Sequence, residues 1–222
     1  MGINKCLIVG IVCVQLLVSC QVVRITENSN YKESSFTFGL NKTAVLVGDN
    51  NVVISEFTKT FNKKYKQKHD FVMQYDSLCA SAFKQDNIFR EVLLDESIKL
   101  ISSDALISTE EQQKRVDSLF TNSSADYLIR ITNYEIANSM QGNIGMPMAG
   151  GGGMIGSTQS ESCIVKSHFQ IYDVKSRKKV LDFESKGSAG VMLFAFEKAL
   201  VGAMNNSIKN SAIYLKSGKV KF

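Results

Sequence analysis

Apolar residues along the chain recur at three spacings, and each spacing predicts its own element. Thr43-Ala-Val-Leu-Val-Gly48 is a short apolar run closed by Gly and Asp, the pattern of a buried strand. Val53, Phe57, Phe61 and Tyr65 fall at every fourth position and predict an amphipathic helix. His69-Asp70 then leads into Phe71-Val72-Met73, a candidate second strand. Over residues 79–102, Phe83, Phe89, Val92, Leu93, Ile98 and Ile101 can share one broad helical face. Ser108-Thr-Glu-Glu111 is a capping box that opens a further helix with Val116, Leu119 and Phe120 inside. Alternation returns at Tyr127, Ile129 and Ile131, then at Val165, Phe169 and Ile171, and again at Leu181 and Phe183, predicting three strands. Leu193, Phe196, Leu200, Met204, Ile208, Ala212 and Leu215 form the stripe of a long last helix. The order β-α-β-α-α-β-β-β-α predicts an α/β sandwich with a mixed sheet.

The first residues do not belong to this pattern. Lys5 precedes the apolar run Cys6–Val18, and the next charge is Arg24. A positive start and a run shorter than the ~20 residues of a membrane span describe a secretory signal segment. Leu17-Val18-Ser19-Cys20 resembles the lipobox of bacterial lipoproteins, in which cleavage before the Cys is accompanied by acylation of its sulfur. The resemblance implies a signal peptide over 1–19 and Cys20 as the lipidated first residue of the mature chain. Gln21 in place of an Asp implies sorting to the outer membrane. The lack of an acidic cluster after Cys20 points to its periplasmic face. Residues 20–35 are mostly polar and predict a tether, which leaves 36–222 as one α/β domain.

Two short stretches carry a further resemblance. Ala125-Asp126-Tyr127-Leu128-Ile129 enters a strand directly after a helix, and Ile171-Tyr172-Asp173-Val174 leads through a turn to Lys179-Val180-Leu181. Together with the element order they resemble the envelope domains of the penicillin-binding protein activator and curli secretion lipoproteins. Ser176-Arg177 stands where that family has Thr-Gly. The resemblance implies a domain that binds other proteins and has no catalytic residues. It implies an accessory or scaffold subunit engaging an envelope protein, with cell-wall synthesis as the candidate process. The alternatives are a self-assembling outer-membrane secretion subunit and an envelope hydrolase.

Composition narrows the chemistry. Of 222 residues 44% are hydrophobic and 21% charged, enough for a core, and the net charge of +5 makes no case for nucleic acid. Two His, His69 and His168, are thin stock for a metal site, and neither a metal nor any other cofactor is expected. His168 is expected on a solvent-exposed strand face with Lys166 and Gln170. No Gly-x-Ser-x-Gly elbow is present, and neither Cys79 nor Cys163 stands in a catalytic signature, so no enzyme is expected. The oxidising periplasm allows a Cys79–Cys163 disulfide, and two buried free thiols are the alternative.

The most unusual stretch is Ile136–Ser160, which has no charge, seven Gly and four of the eight Met. It lies between two predicted strands and reads as a hairpin tip poor in strand structure. Met146, Met148 and Met154 are the candidate partner contacts because thioethers pack adaptably. A soft Cu(I) site at Met146-Pro-Met148 and a plain loop are the other readings, and a P-loop is excluded because no Gly-Lys-Ser/Thr follows. Lys63, Lys64, Lys66 and Lys68 form the main basic run, suited to a helix C-terminus or to anionic headgroups.

Overall fold

The chain is described from a computed structural model that places residues 24–27, 41–95, 109–142, 159–192 and 195–217. Seven strands are placed: β1 (Arg24–Glu27), β2 (Thr43–Gly48), β3 (Val52–Ile54), β4 (Glu91–Leu94), β5 (Tyr127–Gly142), β6 (Gln159–Asp173) and β7 (Lys178–Gly190). Four helices are placed: α1 (Thr58–Lys64), α2 (Lys68–Gln85), α3 (Thr109–Asn122) and α4 (Phe196–Ser217). The sheet order is β1-β7-β6-β5-β2-β4, with β3 pairing on β5 beyond the end of β2. Strands β1, β7, β6 and β5 are antiparallel neighbours, while β2, β3 and β4 run parallel to β5 or to each other. This is the mixed-sheet α/β sandwich the periodicity predicts.

The alternating strands bury one face against α1, α2 and α4. Ile129, Ile131, Val165, Phe169, Ile171 and Phe183 meet Phe71, Phe83, Leu200 and Met204 there, all essentially without solvent contact. The other face is covered at one end by α3, where Val116, Leu119 and Phe120 pack on Val45, Val47, Leu128 and Tyr172. Asp126 ties the entry of β5 to that of β2: its carboxylate accepts the Thr43 N–H at 2.8 Å and pairs with Lys42 at 2.8 Å. The Ala-Asp entry stretch thus has a structural purpose at this corner.

Five expectations are corrected. The helix expected from Val53 begins at Thr58, because Val53 lies in β3 and Phe57 takes a left-handed conformation (φ 64°) that turns the chain. Phe71-Val72-Met73 is helical: the Asp70 carboxylate accepts the Gln67 N–H at 3.2 Å, and Phe71, Tyr75, Cys79 and Phe83 form a four-residue stripe. The helix expected over 79–102 stops at Gln85, where Asn87 (φ 55°) ends it before strand β4, and residues 96–102 lie outside the described residues. The expected tip is shorter than Ile136–Ser160, because β5 and β6 stay paired as far as Gly142 and Gln159. The expected tether also carries structure, since Arg24–Glu27 pairs with β7.

Helix α4 lies unusually close to β7. A Cβ added at Gly187 would stand 2.1 Å from the Ser207 backbone N and 2.2 Å from the Ala203 carbonyl O. At Gly190 on the same strand it would meet nothing within 4 Å. Gly187→Ala is therefore expected to lower stability by about 2–3 kcal/mol through overpacking against backbone that cannot yield. Gly190→Ala is expected to leave the melting temperature nearly unchanged. Thermal denaturation of the two variants tests this, and equal shifts would contradict the close seat of α4.

Candidate functional site

The part of the sheet that α3 leaves uncovered is polar and cross-linked by side chains. A bulge between Ile131 and Asn133 breaks the β5–β6 register and places Thr132 beside His168. Thr132 Oγ1 lies 2.8 Å from His168 Nδ1, and His168 Nε2 lies 2.6 Å from Asp182 Oδ1. An ionised carboxylate only accepts, so this geometry puts the ring proton on Nε2 and lets Nδ1 receive the Thr132 hydroxyl. The other Asp182 oxygen accepts from Lys179 at 2.8 Å and from Gln170 at 3.3 Å. Burial acts to raise the Asp182 pKa, but the bonds from Lys179 and His168 outweigh it and hold the carboxyl below its ordinary value.

His168 thus shares a strand face with Lys166 and Gln170 as expected, but it is half-buried and engaged at both nitrogens rather than simply exposed. Lys166 pairs with Glu135 at 3.0 Å on the neighbouring strand. Nearer α3, Arg130 grips Asp49 with contacts of 2.8 and 3.1 Å to one carboxylate oxygen, and Arg115 of α3 pairs with Asp95. Burial still pushes the Asp49 pKa up against the pull of Arg130.

A second polar cluster lies inside the core beneath α2. Asp76 accepts the Tyr134 hydroxyl at 2.7 Å, and its other oxygen sits over Gly48, where a Cβ would come within 2.3 Å of it. Burial raises the Asp76 pKa to about 7, against the opposing Tyr134 bond and Arg115 charge. Next to it the Tyr75 hydroxyl lies 2.6 Å from Ser167 Oγ and 3.0 Å from Ser207 Oγ, joining α2, β6 and α4. Sequence reasoning did not single out Thr132, Asp182 or Asp76. The signal for Asp76 was present: it shares the buried stripe of Val72, Tyr75 and Cys79.

Cys79 and Cys163 are both buried free thiols, so the disulfide allowed by the sequence is not formed in this structure. Burial raises both thiol pKa values, that of Cys163 to about 12, and so suppresses thiolate chemistry. Among the described residues no group of three His, Cys, Asp or Glu is placed to hold a metal ion. Cys20, Met146, Met148 and Met154 lie outside the described residues. Lys63 and Lys64 do close α1, as dipole complementarity suggests, and Lys64 reaches Glu197 at 3.3 Å.

No family model matches the chain, and no curated protein matches it. Solved structures do. The PelC dodecamer from Paraburkholderia phytofirmans matches with a TM-score of 0.39 and 11% identity, covering 87% of this chain and 96% of that one. A minor lipoprotein from Acinetobacter baumannii matches with a TM-score of 0.41 and 9% identity over 81% and 96%. Lipoprotein GNA1162 from Neisseria meningitidis matches with a TM-score of 0.36 and 11% identity over 76% and 99%. These likenesses carry no assignment of role.

The raised Asp76 pKa sets a pH dependence. The folded value of about 7 exceeds the unfolded ~3.9, so folding holds the proton more tightly than the open chain does. The contribution of this group is fully present below pH ~4 and is lost as the pH rises through about 7. Three units correspond to a loss on the order of 4 kcal/mol. The stability of the wild type relative to Asp76→Asn is expected to fall by up to that amount between acid and mildly alkaline pH. Urea unfolding across that range measures it, and a constant difference would count against a neutral buried carboxyl.

Proposed function

We propose that this chain is a lipoprotein of the bacterial envelope, acylated at Cys20 and held at the periplasmic face of the outer membrane. Its α/β domain there binds an envelope protein as an accessory or scaffold subunit, with cell-wall synthesis as the candidate process. The observation that carries this reading is Leu17-Val18-Ser19-Cys20 directly after the apolar run Cys6–Val18. Among the described residues no helix is long and apolar enough to cross a membrane, and a lipid on Cys20 is the proposed attachment. Met146, Met148 and Met154 are the proposed partner contacts.

An envelope hydrolase is the second reading, and one observation favours it. The chain Thr132–His168–Asp182 has the order of nucleophile, base and orienting carboxylate. The same bonds also serve as a strap across β5, β6 and β7, for which no turnover is needed. A fluorophosphonate probe that labels the wild type but not Thr132→Ala would favour the hydrolase. Absence of labelling in both favours the strap.

Metabolic labelling with an alkyne fatty acid and membrane fractionation test the anchor. The wild type is expected to label and sediment with membranes, and Cys20→Ala to do neither. Capture of the acylated protein in mild detergent is expected to bring down one stoichiometric envelope protein. Replacing Met146, Met148 and Met154 together by Ser should weaken that capture about tenfold, as for the loss of a few interface anchors. A large homo-oligomer without another protein would put the secretion subunit first.

A further inference from the structure

We infer that the end of the sheet carrying the β5–β6 hairpin faces the bilayer and docks on anionic lipid headgroups. This rests on acylation of Cys20 as proposed above. Only Gln21, Val22 and Val23 separate Cys20 from the start of β1. At most ~3.6 Å per residue, the acylated sulfur-bearing residue lies within roughly 14 Å of Arg24. Strand β1 is antiparallel to β7, with Arg24 opposite Lys186 and Glu27 opposite Phe183. The chain therefore enters β1 from the side where β7 ends at Gly190 and β5 and β6 end at Gly142 and Gln159. A lipid on Cys20 holds that end of the domain at the membrane.

The same end carries side chains suited to a headgroup layer. Met140 at 68% and Met192 at 75% are the most exposed large apolar side chains among the described residues. Both lie at this end of the sheet: Met140 stands opposite Glu161, whose carbonyl accepts the Val191 N–H at 2.8 Å, and Met192 follows Val191. Beside them α4 begins, with Phe196 5.7 Å from Phe57 at the head of α1. Between α1 and α4 opens a groove of about 750 Å³ whose lining includes Thr60, Lys63, Lys198, Asn205 and Glu197, the last already paired with Lys64. Lys63 and Lys198 are exposed, and Lys59 lies one turn before Lys63 on α1. Adaptable thioethers beside ammonium groups suit an anionic bilayer surface, where each nearby Lys contributes about 1 kcal/mol. A second copy or a soluble protein would answer the exposed methionines but not the three-residue distance to a lipid.

The test uses acylated full-length protein reconstituted in vesicles of phosphatidylcholine and phosphatidylglycerol that carry a lipid-borne quencher. A fluorophore is attached at Met192→Cys or, at the opposite end of β7, at Lys175→Cys. The native thiols Cys79 and Cys163 are 0% exposed and do not compete for the label. The two positions are about 40 Å apart along the strand, so quenching at 192 is expected to exceed that at 175 by about threefold or more. Lys63→Glu with Lys198→Glu, or vesicles of phosphatidylcholine alone, should reduce the difference. Equal quenching at both positions in the acylated protein overturns the docking while leaving the anchor intact. A difference that survives both charge changes overturns the headgroup contact. An intact mass without acyl groups on Cys20 overturns the anchor and the docking with it.

Discussion

Helix α4 can lie against β7 as closely as it does only because position 187 has no side chain. The ideal Cβ there would sit about 2 Å from the helix backbone, well inside any tolerable contact. That seat brings Ser207 into the sheet, where its backbone carbonyl accepts the Ser185 hydroxyl at 2.7 Å and its own hydroxyl meets Tyr75 and Ser167. A close approach between backbones leaves no room for large apolar groups, so small hydroxyl side chains fill the seam and satisfy one another. Tyr75 extends the network to α2. The position of α2 in turn sets Asp76 over Gly48 and under Tyr134, at the end of strand β2. The helical layer is thus registered on the sheet by a line of small and polar residues flanked by the aromatic core.

The two sides of the sheet divide the electrostatic work. On the helical side Asp76 is buried so deeply that its charge is suppressed toward neutral pH. On the other side the Asp182 carboxylate keeps its charge because the Lys179 ammonium and the His168 Nε2–H donate to it, and Lys166 pairs with Glu135. Partly exposed pairs of this kind contribute little each to stability. Their stronger effect is on pairing register, because a slip of one residue would carry Lys166, His168 and Asp182 into the apolar core. Thr132 fits the same logic, since the β5 bulge turns it toward His168 instead of leaving the imidazole nitrogen without a partner.

Periodicity revealed the class of fold and five of the long elements because their apolar faces alternate or recur without interruption. It failed where short-range signals compete. Phe71-Val72-Met73 has strand composition, yet Asp70 caps a helix whose stripe continues through Tyr75, Cys79 and Phe83. Phe57 keeps the spacing of a helical stripe but turns left-handed before the helix begins. Arg177 does the same (φ 56°) in the β6–β7 turn, where Asp173 accepts the Ser176 N–H at 2.7 Å. Gly is the residue ordinarily suited to that conformation. The polar sites were less legible than the fold. Thr132, His168 and Asp182 come from three strands, and only the bulge and the cross-strand register bring them together. The Gly/Met-rich stretch was legible as unusual composition, while its paired ends, Gly142 and Gln159, follow from the ladder.

Strand β1 changes what a lipid anchor on Cys20 can do. Fifteen free residues after the lipid would let the domain reach ~50 Å from the membrane. Pairing of Arg24–Glu27 with β7 reduces that leash to three residues before the folded body begins. A short leash confines the domain to a thin layer and raises its effective concentration toward anything else in that layer, while proteins farther away fall out of reach. It also fixes orientation, because the leash leaves from one corner of the sheet. The last pair of the β5–β6 ladder, Gly142 and Gln159, lies at that same end of the sheet. Under the proposed anchoring, a short leash keeps the domain within reach of proteins that themselves sit in or on the membrane and away from freely diffusing periplasmic ones.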